Sequence, residues 1–484
     1  MQPVQPALCL VVLAVSAVIA PPQPPSPPTP PTPPAAAEPI RAAAIEGPWN
    51  GAVQLPGVAL KIGIVFTSGE GGLAGTIDIP DQGARGIALE GIAVEGDSVT
   101  FRLAGVQGEP TFNGTLAGDA ITGTFSQGGM SFPFELKRGE LPRPKRPQDP
   151  VPPLPYTQEE LTATNGDVTL AGTLTRPPGD GPFPAVILIT GSGPQNRDEE
   201  IFDHRPFAVI ADHLTRRGII VLRYDDRGVG ASTGSLAGAT TADLAGDAEG
   251  WVKVLGERPD VGEIGLLGHS EGGVIAPMIA ARNDAVRFII TLAGTGVPGS
   301  EVLVEQNRAL LLAAAAPKET ADAAAEAARE LFTAAADGAD DQTLHEKIAN
   351  LVRIQSGGME PPADVIDAQV TRLREPWLSF FLKHDPAEDL RRVKVPVLAL
   401  LAGKDAQVVP EQNAPAVEAA LKAAGNTDAT VRTLPEMNHL FQRARTGSVQ
   451  EYARIETTIE PEVLEQISGW ILERFGPDAG DKGE

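Results

Sequence analysis

Two pentapeptides in this chain have the form Gly-x-Ser-x-Gly: GASTG at residues 230–234 and GHSEG at residues 268–272. Such a serine serves as a nucleophile when a strand runs straight into it and a helix leaves straight after it. The tight bend then exposes the hydroxyl and aims a helix N-terminus at the developing oxyanion. Ser232 does not meet that condition. Six residues separate it from the end of the apolar run IIVLRYD (219–225), and helical spacing resumes only near Thr240. Ser270 meets it: IGLLGH (264–269) ends at its doorstep, and EGGVIAPMIAAR follows with helical spacing. Gly268 and Gly272 let strand and helix approach where a Cβ would collide. Ser270 is the candidate nucleophile.

A serine hydroxyl is a weak nucleophile unless a base takes its proton, so a histidine and an orienting acid are required. On a hydrolase-type parallel sheet they follow the serine as acid, then histidine, each on a loop at the carboxyl end of a later strand. VPVLALLAG (395–403) leads to Asp405, and ATVRTLP (429–435) leads to His439. Of the six histidines, only His439 lies in a loop after the last strand. His269 is expected to pack beside the serine. His204 and His213 are expected to be structural, on or just before the first helix, and His345 and His384 to belong to a helical insertion. Two main-chain N–H groups must hold the oxyanion. One is expected from Glu271, the other from the loop GSGPQNRD (191–198), with Ser192 as first choice and Gly193 as second. The group Asp198, Glu199, Glu200 and Asp203 with His204 could suggest a metal site. Acids suit the positive end of a helix, so a solvated helix start is the reading preferred here.

The elements that must position these residues form an α/β arrangement over residues 156–476. VTLAGTLTRP reads as an opening antiparallel strand. AVILIT (185–190), IIVLRYD, IGLLGH, FIITLAG (288–294), VPVLALLAG and ATVRTLP follow, several apolar on both faces as buried parallel strands must be. PFAVIADHLTRRG and DLAGDAEGWVKVLGE carry helical spacing, with Gly218 and Gly256 where C-terminal caps belong. An alanine-rich helical stretch at about 297–392 interrupts the alternation and reads as a cap.

Upstream, residues 46–138 hold eight short segments of period-two alternation separated by Gly, Asp and Asn turns, the mark of a small all-β barrel or sandwich. That stretch has no histidine and is expected to be an accessory module. Proline-rich linkers are expected at 21–45 and 139–155. Residues 1–20 contain an apolar run at 7–20, short for a membrane span and suited to an export signal. The expectation is export, periplasmic or secreted, with an uncleaved membrane anchor as the alternative. Residues 477–484 are a tail.

Lys and Arg number 39 against 63 Asp and Glu, a net charge of −24 without a basic cluster. That balance argues against nucleic acid and anionic membrane surfaces as partners. The single cysteine, Cys9, precludes an intrachain disulfide and a cysteine-based metal site.

The set GSGPQNRDEE, YDDRGVGAS, GHSEGG, GKDAQV, NHLFQ and EYARIETTIEP resembles the EstD-type esterases, α/β-hydrolases of the serine-aminopeptidase-like group. The resemblance covers about residues 156–475, together with the β-rich module that such proteins often carry. It implies an α/β-hydrolase fold with a helical cap and hydrolysis of carboxylic esters of small molecules. It also implies Ser270, Asp405 and His439 as the triad, with no metal or organic cofactor. Asp226, Arg227 and Gly228 match a turn whose hydrogen bonding is structural. Two alternatives stand beside the esterase reading: a peptidase or thioesterase using the same triad, and a non-catalytic binding protein on this fold.

Overall fold

The computed structural model describes residues 44–477 apart from 56, 57, 70, 71, 107 and 109. The export signal expected at 1–20 and nearly all of the first proline-rich segment and the tail lie outside the described residues. Among the described residues, no helix is long and apolar enough to cross a membrane.

One unit, ending at Lys145, is a closed antiparallel barrel of eight strands in sequence order. Its strands are Gly47–Leu55 (β1), Val58–Gly69 (β2), Gly72–Ile79 (β3), Ala84–Glu95 (β4), Ser98–Leu103 (β5), Thr111–Ala117 (β6), Ala120–Gln127 (β7) and Met130–Arg138 (β8). Each of the eight alternating segments of the sequence is one of these strands. Inward positions carry Trp49, Phe66, Phe101, Phe112, Phe125 and Phe134, all buried. Phe101 and Phe112 stack with centroids 4.7 Å apart. The aromatic side chains fill the barrel as a packed core.

The other unit, from Arg146 onward, is an eight-stranded mixed sheet. Its strands are Thr157–Asn165 (β9), Val168–Arg176 (β10), Phe183–Ile189 (β11), Ile220–Tyr224 (β12), Val261–His269 (β13), Val286–Leu292 (β14), Val397–Ala402 (β15) and Ala429–Leu434 (β16). They lie in the order β16-β15-β14-β13-β11-β12-β10-β9. The six strands from β11 onward run parallel, and β10 pairs antiparallel with β12. One face packs on helices Thr241–Gly256 (α2), Gly272–Ala280 (α3) and Pro410–Ala423 (α10), the other on Pro206–Arg216 (α1) and Pro461–Phe475 (α11). This is the α/β sheet expected from the alternation, in the α/β-hydrolase arrangement that the family resemblance implies.

Between β14 and β15 lie helices Gly299–Ala313 (α4), Lys318–Ala336 (α5), Asp341–Gln355 (α6), Ala363–Leu373 (α7), Pro376–Lys383 (α8) and Pro386–Leu390 (α9). The first five share an alanine- and leucine-rich core of their own, and Ala387 and Leu390 of α9 belong instead to the core under the sheet.

Three local expectations are corrected. β9 was not anticipated: it is an edge strand paired only with β10, and most of its residues are exposed. Helix α2 ends at Gly256 with Glu257 as its cap, so Gly256 is not the cap residue, whereas Gly218 at φ 87° does close α1. The segment read as a linker at 139–155 is fastened to the α/β unit from Arg146 onward. Arg146 donates to the main-chain oxygens of Phe202 and Ile455 at 2.8 Å, and Gln148 to that of Ile459 at 2.7 Å.

Candidate active site

Strand β13 lies inside the sheet between β11 and β14, and α3 leaves two residues after it ends. Ser270 sits on the bend with φ 52°, a conformation that non-glycine residues seldom hold without surrounding support. Its N–H donates to the Leu292 oxygen at 2.9 Å, and its carbonyl accepts from Gly273 N–H at 2.9 Å. A Cβ on Gly268 would lie 1.9 Å from the Gly272 oxygen, and one on Gly272 would lie 2.1 Å from the Ile189 oxygen. Both glycines are therefore required by close approach.

The loops after β15 and β16 bring Asp405 and His439 together. Asp405 Oδ2 lies 2.7 Å from His439 Nδ1. The other oxygen, Oδ1, accepts from the main-chain N–H groups of Gln407 at 2.7 Å and Val408 at 2.9 Å. Three N–H donors on a buried aspartate fix both its position and its plane. The His439 loop is built by Asn438, fully buried, whose side-chain oxygen accepts from the N–H groups of Leu440 and Gln442. The hydroxyl of buried Tyr452 accepts from Gln407 Nε2 at 3.1 Å, and the Glu460 N–H donates to the Phe441 oxygen at 3.0 Å. The motifs NHLFQ and EYARIETTIEP thus serve one loop. With Nδ1 held by Asp405, the remaining ring nitrogen, Nε2, is the one available to a serine hydroxyl.

The loop after β11 is held at both ends by Asp226, which accepts from Thr190 Oγ1 at 2.8 Å and Gln195 N–H at 2.9 Å. Burial, with Glu271 and Glu199 nearby, raises the Asp226 carboxyl well above the ordinary carboxylate range. Arg227 pairs with Asp247 through two bonds of 2.7 Å. Both observations agree with structural duty for that turn. Ser192 lines the cavity in front of Ser270; Gly193 has φ 92°. Glu271 follows the nucleophile and is the residue before α3. Its side chain turns away from the helix: Oε1 accepts from Thr241 Oγ1 at 2.7 Å and from Trp377 Nε1, on cap helix α8, at 2.8 Å. Burial raises its pKa, an effect opposed by the bonds from Thr241, Trp377 and Ser192.

The cavity is lined by Ser270, His439, Ser192, Glu271, His269 and Glu199. Val302, Leu303, Gln306 and Phe381 close it on the cap side. Among the described residues, no lysine or arginine lines it.

Ser232 is elsewhere and engaged: it is buried, with its hydroxyl bonded to the main chain of Asp225 and Ala171. His204 is buried between Thr458 and Tyr452, His213 bonds Ser468, and His345 and His384 face Asp367 and Asp389 in the insertion. The acidic group is not a solvated helix start. Helix α1 begins at Pro206 with no acid in its first turn, Asp198 pairs with Arg223 and Arg205, and Glu199 is buried. Glu199 accepts from Gly191 N–H at 2.7 Å and His269 Nδ1 at 2.9 Å. Its part in the site, like that of Thr241 and Trp377, carried no local signal, because its partner stands 70 residues away in sequence. Among the described residues no group of three or more His, Cys, Asp or Glu could hold a metal ion.

A model of the family described as X-Pro dipeptidyl-peptidase (S15 family) matches residues 165–435, a span holding Ser270 and Asp405 and ending just before His439. The chain is similar to esterase EstD of Thermotoga maritima, 28% identical over 325 residues, 67% of this chain and 69% of that one. The resemblance to EstD-type esterases is thereby borne out. Among solved structures it is similar to an esterase of Pyrococcus furiosus, at 17% identity and TM-score 0.42 over 69% of this chain and 98% of that one. A proline iminopeptidase of Mycobacterium smegmatis gives 17% identity and TM-score 0.40 over 66% and 100%.

Proposed function

The chain belongs to the X-Pro dipeptidyl-peptidase family S15, and from that premise we propose that it is a serine hydrolase cleaving carboxylic esters of small molecules. Ser270 attacks the ester carbonyl while His439 Nε2 takes its proton. Asp405 fixes the imidazole tautomer with Nδ1–H and stabilises the imidazolium that forms. The main-chain N–H groups of Glu271 and Ser192 receive the oxyanion, with Gly193 as the alternative donor. His439 then protonates the departing alcohol, and a water activated by the same base releases the acid from the acyl-enzyme. The observation that carries this reading is the 2.7 Å contact between Asp405 Oδ2 and His439 Nδ1, beside a serine held at positive φ in the same cavity. The similarity to an esterase over two thirds of the chain supports the ester as the bond cleaved.

Peptide cleavage is the second reading, and one observation favours it. The cavity carries the carboxyl groups of Glu199 and Glu271 and, among the described residues, no lysine or arginine, a setting that suits a substrate ammonium. Parallel assays with p-nitrophenyl acyl esters and X-Pro p-nitroanilides separate the two. The ester reading predicts turnover of short acyl esters with kcat/KM at least a hundredfold above any anilide. Preferred hydrolysis of an X-Pro anilide would replace it with the peptidase reading.

A further inference from the structure

We propose that His269 is a buried imidazolium which, with Glu199, locks the oxyanion loop and the His439 loop to the nucleophile turn and sets the charge that His439 feels. Each ring nitrogen of His269 faces an acceptor. Nε2 lies 3.0 Å from the main-chain oxygen of His439, and a carbonyl oxygen can only accept, so Nε2 carries a proton. Nδ1 lies 2.9 Å from Glu199 Oε1, which also accepts the Gly191 N–H at 2.7 Å. Nδ1 therefore carries a proton too. A neutral imidazole has one N–H; two make the ring a cation.

The surroundings are consistent with that charge. Glu199 faces the ring from the loop after β11, Asp405 from the loop after β15 and His439 from the loop after β16, while Glu271 lies on its own turn. Burial opposes the charge, but Glu199, the His439 carbonyl and Asp405 outweigh it, and the pKa of the ring is raised. Glu199 is buried and held at φ 51°, so the carboxyl is set in place by its own loop.

One buried pair thus ties together three segments that are distant in sequence and must meet at one substrate. Gly191 precedes Ser192, His269 precedes Ser270, and the accepted carbonyl belongs to His439. The His269 and His439 rings lie 4.8 Å apart. A cation at that distance acts on the His439 ring with the opposite sign to Asp405. His269 and Glu199 are positioning residues: their effect on turnover is exerted through His439 and the loop of Ser192.

The catalytic role of His439 rests on the function proposed above, whereas the charge on His269 does not, so two measurements keep the ideas apart. In the full chain labelled with 15N-histidine, long-range 1H–15N correlation spectra should show His269 with both ring nitrogens protonated from pH 6 to pH 8. Its signals are assigned by their loss in His269→Gln, or, should that variant not fold, by contact with the His439 ring. A neutral tautomer across that range would overturn the proposal. In the second measurement, His269→Gln keeps an N–H for the His439 carbonyl but no charge. The acid limb of kcat/KM should then move up by about one pH unit. At pH 7 kcat should fall about tenfold with KM within twofold. Glu199→Gln, which removes the negative charge and leaves the His269 cation unbalanced, should move the limb the other way. An unmoved acid limb in both variants would contradict the charge-setting role even if activity fell.

Discussion

The hydroxyl of Ser232 donates to the main-chain oxygen of Asp225 at 2.7 Å and accepts the N–H of Ala171 at 2.9 Å, stitching the turn after β12 to β10. Both bonds are buried, which leaves this serine no part in attack. Ser232→Ala should cost about 1–3 kcal/mol of stability, through unmatched polar groups, and leave most ester turnover. Ser270→Ala should abolish turnover with the thermal midpoint nearly unchanged. Thermal melts beside initial rates check both, and equal activity losses from the two would undo the assignment.

Asp405 holds His439 through one oxygen and its own loop through the other. Asp405→Asn should preserve the loop contacts yet favour the wrong imidazole tautomer. Turnover should fall about a thousandfold or more, in kcat rather than KM. Near-normal kcat at neutral pH would mean that another acid supports the histidine.

Burial depresses the pKa of His204 to about 4 from its ordinary 6.5. Its Nε2 lies 2.9 Å from both the Tyr452 oxygen and Gln442 Nε2, and its Nδ1 lies 3.0 Å from Thr458 Oγ1. The unfolded chain binds that proton more tightly than the folded one. The stabilisation is thus full above pH 6.5 and is lost as pH falls toward 4, by about 3 kcal/mol. His213, lowered chiefly by burial, adds with the same sign. Denaturant melts between pH 7 and pH 4 should show this loss, and His204→Gln should flatten it. An unchanged slope in the variant would remove His204 from the account.

Arg146, Gln148 and Asp149 bond to the α/β unit, the last through Arg205 at 2.9 Å. A chain beginning at Arg146 should therefore fold and hydrolyse esters. One beginning at Tyr156 should be about 2–4 kcal/mol less stable, from the lost buried hydrogen bonds. Equal denaturation midpoints would show that these contacts contribute nothing.

The side chains of the candidate site were legible because their signals are local: an apolar strand ending at GHSEG, and single loop positions after two later strands. The barrel was legible by its alternation, eight segments for eight strands. Glu199 was misread because local sequence shows an acid near a helix, while its burial follows from a backbone at positive φ folding it under His269. Trp377 reaches Glu271 across 106 residues of sequence, a contact no periodicity announces. Strand β9 escaped because an exposed edge needs no apolar pattern.

The central claim, that Ser270 is the nucleophile, is tested most directly by covalent capture. The full chain is treated with one equivalent of a p-nitrophenyl dialkyl phosphate, which transfers its phosphoryl group to an activated serine and releases p-nitrophenol. Peptide mass mapping then locates the label. The account predicts release of about one equivalent of p-nitrophenol, loss of esterase activity in proportion, and the modification on Ser270 alone. A label on Ser232 or any other serine, or inactivation with Ser270 unmodified, would contradict it.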